Sequence, residues 1–166
     1  MLVCRLTRVY SSHIEWQPQG DQQERFDEIK PVHDDILLTK LFPGEIYNFQ
    51  ELKKELEGFW KFKTSSDTET ILAAYARWGD ACVLHLRGMF AFAIWDKLRR
   101  RLFCARDAFG IKPFYSTVQK ERLYFASEAK SLLPFLPEID TDTEALHEYL
   151  PFQYTLGEQT MFRGIK

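Results

Sequence analysis

The sequence predicts an α+β fold, with helices covering the faces of antiparallel sheets, on three observations. Met89 to Trp95 is almost wholly apolar, so this strand is covered on both faces rather than lying on a surface. Leu102 to Ala105 is a second apolar run, separated from the first by the charged break Lys97 to Arg101, which reads as a β-hairpin. Upstream, two stretches change from strand alternation to helical spacing. Helices flanking consecutive strands give an α+β domain.

In chain order, Met1 to Tyr10 alternates enough for a strand, while Ser11 to Lys30 is polar, holds Pro18 and Gly20, and predicts loop or disorder. Asp35 to Phe42, DILLTKLF, is a short apolar run stopped by Pro43-Gly44, hence strand then turn. Asn48 is a good N-cap for a helix over Phe49 to Glu57, with Phe49, Leu52 and Leu56 on one face and Gly58 as the stop. Phe59 to Lys63 alternates as a strand. Ser65-Ser66-Asp67 then caps a helix over Thr68 to Trp78, with Glu69 placed three residues after Ser66 as a capping box requires and Gly79 as the stop. Cys82, Val83, Leu86 and Met89 continue as a helical turn into the first strand of the hairpin. Further strands follow at Pro113 to Val118 and Leu123 to Ser127, making an antiparallel meander at the centre of the fold. The last helices are Glu128 to Leu133 and Asp142 to Tyr149, separated by Pro134 and Pro137.

A chain of 166 residues, 45% hydrophobic and 15% aromatic, is long enough and apolar enough to bury a core. Its net charge of -2 gives no electrostatic reason to expect nucleic acid or an anionic membrane as partner. The basic run Lys97, Arg99, Arg100, Arg101 reads as a solvated hairpin tip. Three scattered cysteines, Cys4, Cys82 and Cys104, make neither a disulfide framework nor a zinc site, and a reducing, cytoplasmic setting fits them. His13, His33, His85 and His147 form no metal-spaced pair, so no metal or other cofactor is expected. No window is long and apolar enough to span a bilayer, and MLVCRLTRVYSS lacks the apolar core of a signal peptide.

Four strings are distinctive: GEIYNFQELKKELE (44 to 57), SSDTETILAAYARWG (65 to 79), LRGMFAFAIWDKLRRRLFCARDAFGIKPFY (86 to 115) and FASEAKSLL (125 to 133). In this order and spacing they resemble the glutamine-hydrolysing domain of glutamine-dependent asparagine synthetases, a class II glutamine amidotransferase, over residues 36 to 166. The tail ALHEYLPFQYTLGEQTMFRGIK resembles the segment leading towards the synthetase domain. The domains expected are therefore a divergent segment over 1–34 and a type 2 amidotransferase-like domain over 35–166, with no synthetase domain. The resemblance implies a four-layer α/β/β/α sandwich of the N-terminal-nucleophile hydrolase kind, its N-terminal part missing or altered. It also implies hydrolysis of glutamine to glutamate and ammonia by an N-terminal cysteine, the ammonia passing to an ATP-dependent step. No string resembles a pyrophosphate-binding loop, so that step is expected elsewhere.

Carried over residue by residue, the resemblance implies that Glu45 and Asp67 hold the α-amino group of glutamine, which two carboxylates would do through charge-assisted bonds. The residues alone also allow a solvated turn carboxylate and a helix cap. Gly44 matches a backbone oxyanion donor, and is also simply a turn glycine. The family's side-chain oxyanion donor is an asparagine where this chain has Pro43, which offers neither side-chain amide nor backbone N–H. Losing one such donor costs about a hundred- to a thousandfold in rate. The family's nucleophile needs a free α-amine beside its thiol. Here Leu2 stands second, and Cys4 would serve only if Met1, Leu2 and Val3 were removed. Arg5, Arg8 and Arg25 lie in no matching string. Cys82 and Cys104 read as buried packing residues, and Arg106-Asp107 with Gly110 to Pro113 as a turn supported by an ion pair.

The leading expectation is a truncated or divergent glutaminase domain that keeps the sandwich core and has lost hydrolytic competence. Two alternatives stay open: an active glutaminase using Cys4 after processing, and a non-catalytic module that binds glutamine or docks on a partner. The expected partners are glutamine and either a separate synthetase subunit or a second copy of the chain.

Overall fold

The computed structural model describes residues 3–6, 36–40 and 44–166, and the chain divides into two units, Met1–Lys112 and Pro113–Lys166. In the first unit the most apolar run forms β5 (Ala91–Asp96), which pairs antiparallel with β6 (Arg101–Arg106) across an exposed turn. β1 (Val3–Leu6) takes the outer edge of β6 and β2 (Ile36–Lys40) the outer edge of β5, giving the antiparallel order β1-β6-β5-β2. The strands expected within 1–10 and 35–42 are thus present. The loop expected over Ser11 to Lys30 lies outside the described residues, as does Pro43.

Two helices pack on one face of this sheet. α1 (Phe49–Leu56) contributes Leu52 and Leu56, and α2 (Asp67–Trp78) contributes Ile71, Leu72 and Tyr75, against Phe92, Ile94 and Phe103 from alternate positions of β5 and β6. Alternation along the strands therefore aims their large side chains at the helices. A 3₁₀ turn over Gly79–Leu84 leads from α2 to β4 (Gly88–Met89), which pairs with β3 (Glu45–Ile46). Gly79 ends α2 in a positive-φ conformation, its N–H donating to the Tyr75 carbonyl.

The structure corrects several local expectations. Phe59 to Lys63 is not a strand. It pairs with no strand among the described residues: the Phe59 and Trp60 amides donate to the Leu56 carbonyl at the end of α1, and its far end is held by the buried carboxylate of Glu69. That carboxylate accepts from the amides of Lys63 (2.8 Å) and Thr64 (2.7 Å), the Thr64 hydroxyl (2.6 Å) and the Trp60 indole (3.3 Å). The capping box is accordingly half made: the Ser66 hydroxyl accepts from the Glu69 amide at 3.3 Å, while the Glu69 side chain serves the preceding loop.

The basic hairpin tip is not wholly solvated either. Arg101 is largely buried and donates to Asp80 and to the Tyr75 hydroxyl, which in turn donates to the buried Asp96. Nor is the meander continuous, because β1 occupies the edge of β6 that the next strand would need.

After β6 the chain is tied down by Asp107. Its carboxylate accepts from the amides of Phe109, Ile111, Lys112 and Phe90, while the Arg106 guanidinium donates to the carbonyls of Gly110 and Lys112. The expected ion pair between Arg106 and Asp107 is replaced by two side chains that each satisfy backbone groups. Burial pushes the Asp107 carboxyl up, and donation from these amides, Lys112 foremost, pulls it below the ordinary aspartate range.

In the second unit β7 (Tyr115–Gln119) and β8 (Arg122–Ala126) form a hairpin whose turn residues Lys120 and Glu121 both have positive φ. The expected helix at 128–133 is a 3₁₀ turn, Ala129–Phe135, with Pro134 inside it. α3 (Thr143–Phe152) begins at Asp142, which accepts from the amides of Glu144 and Ala145. Phe114, Leu132, Ala145 and Ile165 are buried in this unit, and Lys166 exchanges backbone bonds with Ser116. No helix among the described residues is long and apolar enough to cross a membrane.

Candidate functional site

The local sequence builds one site in the first unit around the short ladder of β3 and β4. Gly44 packs so tightly on the start of β5 that a Cβ there would lie 2.5 Å from the Met89 carbonyl oxygen and 3.0 Å from the Phe90 Cα. Only glycine fits this approach. Gly88 is more constrained, since a Cβ would meet the Glu45 carbonyl oxygen at 2.0 Å. The two glycines let the segment 44–46 lie directly on 88–90.

Glu45 is exposed and Ile46 is fully buried, so the strand alternation turns the carboxylate to solvent and anchors its neighbour in the core. Asp67 arrives from a different part of the sequence at the first position of α2. Its Oδ2 accepts from the Ile46 amide at 3.3 Å, and Thr68 donates to its Oδ1 at 3.4 Å. Ser66, not Asp67, caps the helix. The structure therefore brings Gly44, Glu45 and Asp67 together although 21 residues separate Ile46 from Asp67.

Asn48 completes the arrangement in a way its sequence context hid. Its side chain makes no cap bond to α1. It is buried, donating through Nδ2 to the His85 carbonyl and accepting through Oδ1 from the Arg87 amide, both at 2.9 Å. Tyr47 adds a backbone bond to the Arg87 carbonyl at 2.7 Å. The side-chain cap expected of Asn48 is therefore not made, because its amide is taken up by the backbone of 85–87.

Cys4 lies elsewhere on the sheet. Its backbone stands opposite Cys104, which stands opposite Ala93, so two strand spacings separate Cys4 from β5. With strands ~4.8 Å apart and residues ~3.4 Å apart along each, the Cys4 backbone is roughly 14 Å from the Phe90 position on which Gly44 rests.

Cys82 and Cys104 are both buried, as expected of packing residues. Burial, with Asp80 adding to it, pushes the Cys82 thiol up to about 12, far from a nucleophile's range. Among the described residues no cluster of three His, Cys, Asp or Glu side chains could hold a metal ion.

The family described as "Glutamine amidotransferase domain" matches residues 29–166 of this chain. Asparagine synthetase [glutamine-hydrolyzing] 1 of Bacillus subtilis is 46% identical over 127 residues, covering 76% of this chain and 20% of the relative. Amidase chyE of Penicillium rubens is 34% identical over 166 residues, covering 99% of this chain and 23% of the relative. Among solved structures, the glutamine phosphoribosylpyrophosphate amidotransferase from B. subtilis complexed with ADP and GMP is similar with a TM-score of 0.51 at 25% identity, over 58% of this chain and 22% of that one. This likeness agrees with the α+β class and with the N-terminal-nucleophile hydrolase type. The chain spans about a fifth of the length of the curated relatives it matches.

Proposed function

The chain belongs to the glutamine amidotransferase domain family and is related to glutamine-hydrolysing asparagine synthetases, and on that premise we propose that Glu45 and Asp67 recognise the α-amino group of glutamine beside Gly44. The single observation that carries this reading is the bond from the Ile46 amide to Asp67, which sets one carboxylate next to the residue carrying the other. Two carboxylates near one ammonium provide charge-assisted hydrogen bonds, roughly twice as strong as neutral ones. A carboxylate has about four acceptor directions and can serve a backbone amide and a ligand together.

Hydrolysis by this chain is impaired in this reading. Pro43 replaces an oxyanion-stabilising amide, which by itself accounts for about a hundred- to a thousandfold loss. The register of Cys4 across β6 supports the same conclusion, because a nucleophile has to stand about 3 Å from the atom it attacks.

Calorimetric titration of the full chain with glutamine, paired with an ammonia-release assay, tests both halves. Saturable heat with ammonia release no faster than the blank is expected. Absence of heat overturns recognition, and turnover overturns impairment. A second reading, an active amide hydrolase using a processed Cys4, draws on the alignment with Amidase chyE, which runs through the segment ahead of residue 29. An intact mass beginning at Cys4, with labelling by a glutamine-like electrophile, would select it.

A further inference from the structure

We propose that Asn48 is a positioning residue for amino-acid recognition, fixing the register of the segment that carries Gly44 and Glu45. The proposal rests on the recognition reading above for its ligand, and on geometry for everything else.

The segment that presents Glu45 is poorly held by its own secondary structure. β3 and β4 contribute only Glu45↔Met89 and Ile46↔Gly88 to their ladder, and isolated two-stranded ladders are marginal even when much longer. Their contact is also intolerant of sliding, because Gly88 approaches the Glu45 carbonyl to within the space of a methyl group. The Tyr47 amide adds one bond to the Arg87 carbonyl in the same register, and the rest of the hold on so short a ladder comes from side chains.

Asn48 supplies this hold from the far end of the segment. An amide side chain is one of the few that can donate and accept at once, and here it does both within the loop 85–87, bonding the His85 carbonyl and the Arg87 amide. The same residue's backbone carbonyl accepts from Leu52, so the clamp is coupled to the first turn of α1. Asp67 holds the neighbouring Ile46 amide. Segment 45–48 is thus gripped at both ends by buried or half-buried polar side chains, and loss of the Asn48 grip lets Glu45 drift relative to Asp67 while leaving both carboxylates in the chain.

The test compares Asn48→Ala with Tyr75→Phe, which removes a buried hydroxyl bond to Asp96 at the opposite end of β5 and serves as a destabilised control. Glutamine affinity is read by calorimetry, and amide hydrogen exchange is read at Ile46, Tyr47 and Arg87. Asn48→Ala is expected to weaken glutamine binding and to speed exchange at Tyr47 and Arg87, each on the order of tenfold, while Tyr75→Phe moves neither. Unchanged affinity in Asn48→Ala, or an equal loss in the control, overturns the proposal. Should the parent chain bind no glutamine, the recognition reading falls, and exchange alone decides the positioning role: unchanged protection at Tyr47 and Arg87 overturns it. If Asn48→Ala does not fold, Asn48→Asp, which keeps the shape and the acceptor but loses the donor, carries the same comparison.

Discussion

Replacing Glu69 by Gln removes the charge that organises the loop 60–64 without changing the side chain's size. The carboxylate is 1% exposed and accepts from four donors: two backbone amides, one hydroxyl and one indole. A carboxamide offers one acceptor oxygen and one N–H₂ group. If its oxygen faces Lys63 and Trp60, its N–H₂ faces the Thr64 amide, and that part-buried N–H loses its partner. If it is turned the other way, the Lys63 amide and the Trp60 indole lose theirs. One stranded part-buried donor costs about 1–2 kcal/mol, toward the low end of the cost of a buried one, and the surviving bonds lose their charge assistance at about 1 kcal/mol between them, for a total of about 2–3 kcal/mol. That is a large part of the ~5–15 kcal/mol that holds a domain folded.

The sign of the pH dependence follows from the same contacts. Burial pushes the Glu69 carboxyl up, and the bonds from the Thr64 hydroxyl, the Lys63 and Thr64 amides and the Trp60 indole pull it below the ordinary glutamate range. Because the folded-state value lies below the unfolded one, the unfolded chain binds more protons between the two. Stability is therefore fully present above the unfolded value and is lost as pH falls through the folded one. Urea unfolding followed by tryptophan fluorescence at neutral pH, and again at steps through the acid range, measures both effects. Glu69→Gln should be less stable at pH 7 and show a shallower acid loss than the parent. A variant within 0.5 kcal/mol of the parent at neutral pH, with an unaltered acid slope, would refute the account of this loop.

Asp67→Asn should weaken glutamine binding by about tenfold or more in calorimetry, through loss of a charge-assisted contact, with little change in thermal midpoint because Ser66 remains the helix cap. Gly88→Ala forces a Cβ into the Glu45 carbonyl and should either unfold the chain at ambient temperature or lower its midpoint by several degrees, as circular dichroism would report. Tyr75→Phe should cost about 1–3 kcal/mol in urea unfolding, since the buried Asp96 and the Arg101 guanidinium both lose the hydroxyl between them. Burial also pushes the Tyr75 phenol up to about 12 against the pull of Arg101, so absorbance titration below pH 10 should find this tyrosine still protonated.

Much of this architecture is legible in the strings themselves. The apolar runs that become β5 and β6 can only be stable where both faces are covered, and their hairpin partner is adjacent in sequence, so both pairing and burial follow locally. α1 and α2 are marked by apolar spacing and by Gly79, and their expected bounds lie within a residue of those observed. Phe59 to Lys63 shows the opposite case. Its alternation is genuine, but a strand exists only when a neighbour supplies hydrogen bonds, and here the Leu56 carbonyl takes the Phe59 and Trp60 amides while a carboxylate from the following helix takes that of Lys63.

The site divides along the same line. Gly44, Glu45 and Asp67 are each marked in the sequence by the strings that contain them, because local chemistry and resemblance are carried by short runs of residues. Their meeting through the Ile46 amide, the use of Asn48 as a clamp rather than a cap, and the seating of β1 against β6 are decided by tertiary structure. A polar side chain has several partners of similar energy available to it, and which one it takes depends on backbone groups brought near by the folding of distant segments.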